Sequence, residues 1–239
     1  MSARARRIAW VLLALLALAP ALAQAPVTIS PATDAAQVDL VDVATLMPQV
    51  QRDIRYAGSD NFIGAPVDGY QAPKCLLLRP VARALAQVQA DLRAQGLGLK
   101  LFDCYRPVRA VQAFVRWADD LSDHKMKAGF YPALDKARII PEGYVAPVSG
   151  HSRGATVDLT LVRCTDGGCD ALDMGTPFDF FDPRAHTDAA DITAAQRENR
   201  SLLLQALARR GFVNYPREWW HYTFQPEPTP RLAYDVPVR

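Results

Sequence analysis

Two imidazoles and a carboxylate that could meet at one point constrain this chain more than any other feature. His151 and Asp158 lie in Ser149-Gly150-His151-Ser152-Arg153-Gly154-Ala155-Thr156-Val157-Asp158, and His221 follows much later in Glu218-Trp219-Trp220-His221. Three protein ligands with one open position is the arrangement of a catalytic zinc, whereas a structural zinc usually takes four. A fold that serves them has to bring two distant segments together, and it leaves Glu218 free to act on a water at the open position. Two histidines and a carboxylate also suit iron or other divalent ions. A histidine taken singly is more often a surface or hydrogen-bonded residue, and His124 and His186 are read that way. His151 differs because Gly150, Gly154 and Ala155 surround it, as where a backbone must approach something closely. Asp158 alone would be an ordinary strand acid; with His151 seven residues earlier it reads as the third ligand. Trp219 and Trp220 are expected to wall the site and keep it dry.

The N-terminus reads as a targeting segment. Arg4, Arg6 and Arg7 precede an apolar run from Ile8 to Leu18 that is short for a bilayer span, and Ala21-Leu22-Ala23 is a small-residue cleavage signal. Residues 1–23 are therefore expected to be a signal peptide. Losing its three arginines takes the formal net charge from +2 to −1, which removes any general electrostatic reason to bind nucleic acid. With 239 residues, 50% of them hydrophobic, the chain can bury a full core. Residues 24–239 are read as a single exported domain, periplasmic or secreted, with 24–37 a loose leader and no membrane span in the mature part.

Export bears on the cysteines. In an oxidising compartment four cysteines are expected to pair. The turn-like Thr165-Asp166-Gly167-Gly168 favours Cys164 with Cys169, which leaves Cys75 with Cys104.

Along the chain, Val81, Leu85, Val88 and Leu92 form a helical stripe within Arg79 to Gln95, with Pro80 in the first turn and Gly96 at the end. Leu97 to Phe102 reads as a buried strand, and a second helix is expected from Pro107 to about Leu121. Residues 122–148 form a long aperiodic stretch that delivers the chain to His151. Alternation from Ala155 to Val162 predicts a strand with Asp158 on its polar face. Thr193-Ala194-Ala195-Gln196 resembles a capping box opening a helix to Gly211. Phe212 to Tyr215 and Glu218 to Phe224 read as two strands, and the Pro-rich tail is expected to lie over the surface. The fold class is α+β, an antiparallel sheet flanked by helices.

These residues carry a resemblance. Ser149-x-His151-Ser152-Arg153-Gly154-x-x-x-Asp158-Leu159-Thr160-Leu161 and Glu218-Trp219-Trp220-His221 resemble the two zinc motifs of the D-alanyl-D-alanine dipeptidases, the VanX-type branch of the zinc DD-peptidases. The likeness extends to Asn61-Phe62-x-Gly64-x-Pro66-Val67-Asp68-Gly69-Tyr70, Tyr105-Arg106-Pro107-x-Arg109-Ala110, Gly143-Tyr144-Val145-Ala146 and Phe178-Asp179-Phe180. It implies the hedgehog/DD-peptidase-like fold and one zinc ion on His151, Asp158 and His221. It also implies Glu218 as catalytic base and Arg106 as the cation facing the transition state. By the same resemblance Tyr56, Tyr70, Ser149 and Asp179 line a small substrate pocket, with Asp179 the partner of the dipeptide ammonium.

The expected activity is zinc-dependent hydrolysis of D-Ala-D-Ala. Two alternatives remain open at this level: a D,D-carboxypeptidase acting on longer peptidoglycan stems, and a silent wall-binding module that keeps zinc for structure. The number of chains in the assembly is not readable from the sequence.

Overall fold

A computed structural model describes residues 26–165 and 167–239. The proposed signal peptide, apart from any question of cleavage, lies outside the described residues, as does Asp166. The elements are β1 Thr28–Ile29, β2 Leu40–Asp42, β3 Gln51–Arg52, β4 Leu76–Leu78, α1 Arg79–Arg93, β5 Leu97–Asp103, α2 Val108–Asp119, α3 Lys127–Phe130, β6 Thr156–Thr165, β7 Gly168–Ala171, α4 Ala194–Ala208, β8 Phe212–Asn214, β9 His221–Phe224 and β10 Leu232–Ala233, with short 3-10 turns between them. The fold is α+β.

The main sheet runs β3-β5-β6-β9-β8, with β7 also paired to β6. Strand β6 is its centre: β5 takes one edge, while β9 and β7 share the other. All these pairings are antiparallel except β3 with β5, which is parallel, so the sheet is mixed rather than purely antiparallel. The difference comes from the two-residue β3, too short to announce itself by alternation.

Helix α1 forms because its stripe Val81, Leu85, Val88 and Leu92 is fully buried, and Gly96 with φ 70° ends the turn that follows. It packs on β5 and against α4. The buried Gln89 adds a specific tie, its Oε1 accepting from the Leu99 amide at 2.8 Å. Helix α4 opens with the expected capping box, in which Thr193 accepts from the Gln196 amide and Gln196 reaches back to the Thr193 amide. On β6, Val157, Leu159 and Leu161 are fully buried, and so are Thr156, Asp158 and Thr160 on the other face. The polar face expected from alternation is thus an interior one, covered by the chain that builds the site.

Three expectations are corrected. The stretch read as a loose leader is held: β1 pairs in parallel with β10, and Asp34 caps a 3-10 turn over Ala35–Val38. The Pro-rich tail does not merely lie over the surface, since Tyr234, Val236 and Val238 are buried. Asp235 explains this, taking a forked pair from the Arg109 side chain and a further bond from the Arg109 amide at the start of α2. Glu218 is not on a strand, because β9 begins only at His221. Both expected disulfides are formed, Cys75–Cys104 and Cys164–Cys169. Among the described residues no helix is long and apolar enough to cross a membrane.

Candidate active site

The site is built as a row across three strands. Asp158 on β6 is the register partner of His221 on β9, and on its other side it is paired with Asp103 on β5. Directly opposed residues face the same side of a sheet, so one row delivers three functional groups. Regular pairing would have put Phe102 opposite Asp158. A register shift between Leu101 and Asp103 turns Asp103 to that position instead, a typical use of a bulge beside a site.

His151 arrives from outside the sheet, on a 3-10 turn over Gly150–Arg153. The Ser149 hydroxyl caps the turn by accepting from the His151 amide at 3.3 Å, and Gly154 closes it with φ 70°. A side chain at Gly154 would meet Leu40 at 2.8 Å, which explains the small residue there. The ring is fixed from behind, where Nδ1 lies 2.7 Å from the Cys104 carbonyl. That carbonyl can only accept, so the proton is on Nδ1 and the Nε2 lone pair faces the site.

The site faces the donors of a metal centre. His151 Nε2 and His221 Nδ1 are 3.3 Å apart, and Asp158 oxygens lie 3.3 Å and 3.1 Å from them. The three candidate ligand atoms all lie within 4.8 Å of one another. Asp158 Oδ1 is buried without a hydrogen bond, an arrangement that a cation between the three groups would satisfy. Burial pushes the Asp158 carboxyl up, but the imidazoles of His151 and His221 overcome it and hold it well below the usual range. It is therefore an anionic ligand, and the donor set fits zinc.

Glu218 sits beside this centre with Oε2 at 3.4 Å from His221 Nδ1. Burial pushes its carboxyl up to about 7, against the pull of His221. The turn that presents it depends on Asn214, whose side-chain amide donates to the carbonyls of both Glu218 and His221 at 3.0 Å. Trp219 and Trp220 are both buried but neither is in the cavity wall they were expected to form; Trp219 bonds through its indole N–H to the Thr176 hydroxyl at 2.8 Å.

Arg106 follows β5 and points into the same space. Its Nε and Nη2 both donate to Asp103 Oδ2 at 2.9 Å, and Nη2 stands 3.7 Å from Asp158. The guanidinium carbon lies 4.8 Å from the Phe114 ring centre and 5.1 Å from that of Tyr56, so aromatic faces shield a cation that water would otherwise screen.

A cavity of about 290 Å³ opens in front of these groups, lined among others by Tyr56, Arg106, Ser149, Asp179, Glu218 and His221. In its wall Asp179 is buried and accepts from the Tyr56 hydroxyl at 2.8 Å. Burial, reinforced by the charge of Asp158, raises its pKa well above the carboxylate norm despite that bond. Asp179 has φ 58°, an uncommon left-handed conformation for a residue other than glycine.

The structure thus gathers His151, Asp158, His221, Glu218, Arg106, Tyr56, Ser149 and Asp179 around one cavity. Tyr70 is the exception: it is not in the cavity wall, and its hydroxyl donates to Asp103 Oδ1 at 2.6 Å. It supports the residue that supports Arg106. Cys104 stands behind the site through its carbonyl, while Cys164–Cys169 joins β6 to β7. Asp103 and Asn214 went unnoticed in the sequence. Asp103 stands two residues before the Tyr105-Arg106-Pro107 motif, but its role follows from the bulge, which has no sequence signature here.

Comparison with known proteins places the chain in a family. A family profile described as D-ala-D-ala dipeptidase matches residues 36–239. The D-alanyl-D-alanine dipeptidase of Streptomyces coelicolor is 44% identical over 200 residues, covering 84% of this chain and 98% of that protein. The enzyme of the same name from Enterococcus faecalis is 42% identical over 189 residues, covering 79% and 93%. Among solved structures, VanYB in complex with D-alanine-D-alanine aligns over 65% of this chain and 75% of that one, with 20% identity and a TM-score of 0.39. On the match of its sequence from residue 36 onward, this chain belongs to the D-ala-D-ala dipeptidase family.

Proposed function

We propose that the chain is a zinc metallopeptidase that hydrolyses D-Ala-D-Ala to two D-alanines, with one zinc held by His151 Nε2, Asp158 and His221 Nδ1. The observation that carries this reading is the meeting of three convergent ligand atoms and the half-buried Glu218 carboxylate at one small cavity. When bound, zinc polarises the scissile carbonyl and brings the pKa of the attacking water to about 7.

The protein's own groups divide the rest of the work. Glu218 takes the proton from the attacking water and delivers it to the leaving amine. Arg106, held by Asp103, faces the oxygen on which negative charge grows, so it acts on the transition state more than on the bound substrate. Asp179 receives the substrate ammonium, and Ser149 and the Tyr56 hydroxyl supply polar contacts. Although burial favours its neutral form in the empty pocket, an arriving ammonium restores the charged one.

Dipeptide rather than longer stem peptide is supported by the small volume of the cavity, about 290 Å³, with the buried Asp179 among its lining groups. Free D-alanine release from D-Ala-D-Ala and from a stem pentapeptide, each with and without chelator, tests the reading. Chelator-sensitive cleavage of the dipeptide alone is expected. Cleavage of the pentapeptide would replace it with a carboxypeptidase, and metal-loaded protein that cleaves neither would be a binding module. Export to the periplasm is part of the proposal, supported by the charge and hydropathy pattern of residues 1–23 and by the two disulfides. In that setting the substrate is wall-derived dipeptide, and the product is recovered D-alanine.

A further inference from the structure

Arg200 lies on α4, away from the cavity wall, and it is 1% exposed. A buried guanidinium usually has an acid beside it. Here its acceptors are all main-chain carbonyls: Nε donates to Met174 O at 2.7 Å, Nη1 to His186 O at 2.5 Å and Nη2 to Arg184 O at 2.9 Å. Burial, with Arg197 nearby, lowers its pKa to about 10, so the side chain remains cationic at neutral pH.

The three carbonyls are not scattered. Met174 begins, and Arg184 and His186 end, the loop that carries Asp179 with φ 58°. The same loop stacks Phe178 on Phe102 at 4.8 Å between ring centres and contributes Phe181 to the cavity. Helix α4 adds weaker ties at the first foot, where Asn199 and Gln196 hold Asp173. The planar guanidinium meets the three carbonyls from three separate nitrogens held in one rigid fork, whereas a lysine would have to meet all of them from a single nitrogen on a flexible stem.

We infer that Arg200 is a positioning residue for the amine-binding end of the site, fixing the separation of the two feet of loop 174–186 and thereby the place of Asp179. The inference rests on Asp179 being the ammonium partner. A left-handed aspartate persists only when its surroundings determine it, and the guanidinium clasp is a contact that spans both feet. Losing the clasp lets the loop widen and moves the carboxylate, while the Trp219 amide on the Ala185 carbonyl at 3.0 Å and the Trp219 indole on the Thr176 hydroxyl at 2.8 Å continue to hold the loop against the turn that carries Glu218 and His221.

The test uses the zinc-loaded protein as wild type, Arg200→Met, Asp179→Asn and the double variant, with D-Ala-D-Ala and propionyl-D-alanine, which lacks only the amine. Arg200→Met is expected to keep its zinc content and to raise KM for D-Ala-D-Ala about tenfold, the loss of one charge-assisted contact, with less than about a twofold change for propionyl-D-alanine. In the Asp179→Asn background the same substitution is expected to add less than about twofold. An equal loss on both substrates, or an undiminished effect in the Asp179→Asn background, would make Arg200 a purely structural residue and overturn the inference. If Asp179→Asn alone leaves the preference between the two substrates unchanged, it is the ammonium assignment that fails, and this inference falls with it. Should the Met variant not fold, Arg200→Lys carries the same comparison: an intermediate KM shift confined to D-Ala-D-Ala supports the inference, and a shift shared by both substrates ends it.

Discussion

Glu218 stands 3.4 Å from a ligand nitrogen, its carboxyl pushed by burial up to about 7, and no hydrogen bond from a side chain occupies it. A base so placed can accept a proton only when ionised. Because protonation removes its function, turnover is expected to fall as pH drops below neutrality. A bound divalent cation stabilises the carboxylate further, so the midpoint of that limb falls at or below about 7. A pH–rate profile on the zinc-loaded protein reads this directly, and a flat profile from about pH 5 to about pH 8 would remove Glu218 as the titrating base. Independently, Glu218→Gln is expected to retain zinc and to lower kcat by roughly 10²- to 10⁴-fold, measured as D-alanine release beside metal content. The cluster of His151, Asp158, His221 and Glu218 was legible in the sequence because close spacing, His151 with Asp158 and Glu218 with His221, announces it. Asp103 was not, since an isolated aspartate before a cysteine has no meaning until a neighbouring strand is set beside it.

At the level of elements, the bulge in β5 decides which groups share the site face. It aligns Asp103 with Asp158 and His221, and so connects Tyr70, Asp103 and Arg106 into one chain of contacts. Tyr70 then belongs to the support of the arginine rather than to the substrate. Tyr70→Phe leaves Asp103 Oδ1 without its donor in a buried place, so it is expected to lower stability by about 1–3 kcal/mol. Denaturant unfolding measures that loss, and steady-state kinetics should show KM nearly unchanged; a large KM increase would return Tyr70 to the pocket. The sequence made the long elements readable, because α1 and β6 repeat an apolar period over many residues and α4 opens with a capping box. It concealed β1, β3 and β10, two-residue strands whose pairing depends on partners elsewhere. The same limit misplaced Glu218 on a strand: the side chain of Asn214 holds the turn there, and apolar alternation carries no trace of that bond.

Over the whole molecule, the ligands come from a 3-10 turn, the central strand and a late strand, so a bound metal ties together parts that are remote in sequence. A cation that binds the folded chain and not the unfolded one adds stability by mass action, about 2.7 kcal/mol at a free concentration one hundred times Kd. Stripping the metal with chelator is therefore expected to lower Tm, and readdition of zinc to restore it; an unchanged Tm would show that no ion holds these parts together. The tail is a second such tie. Its Tyr234 amide donates to Ser152 O at 2.8 Å, within the turn that carries His151, and Glu227 receives both nitrogens of Arg153. Contact between Thr28 and Arg231 spans 203 residues. The order of synthesis gives this arrangement a consequence in time. A growing chain that has reached Phe224 already contains every ligand and the base, yet it lacks the segment that steadies the His151 turn. Competence to hold metal well is thus acquired late, and a premature stop or a proteolytic clip beyond Phe224 would spare all the chemical groups while removing their brace.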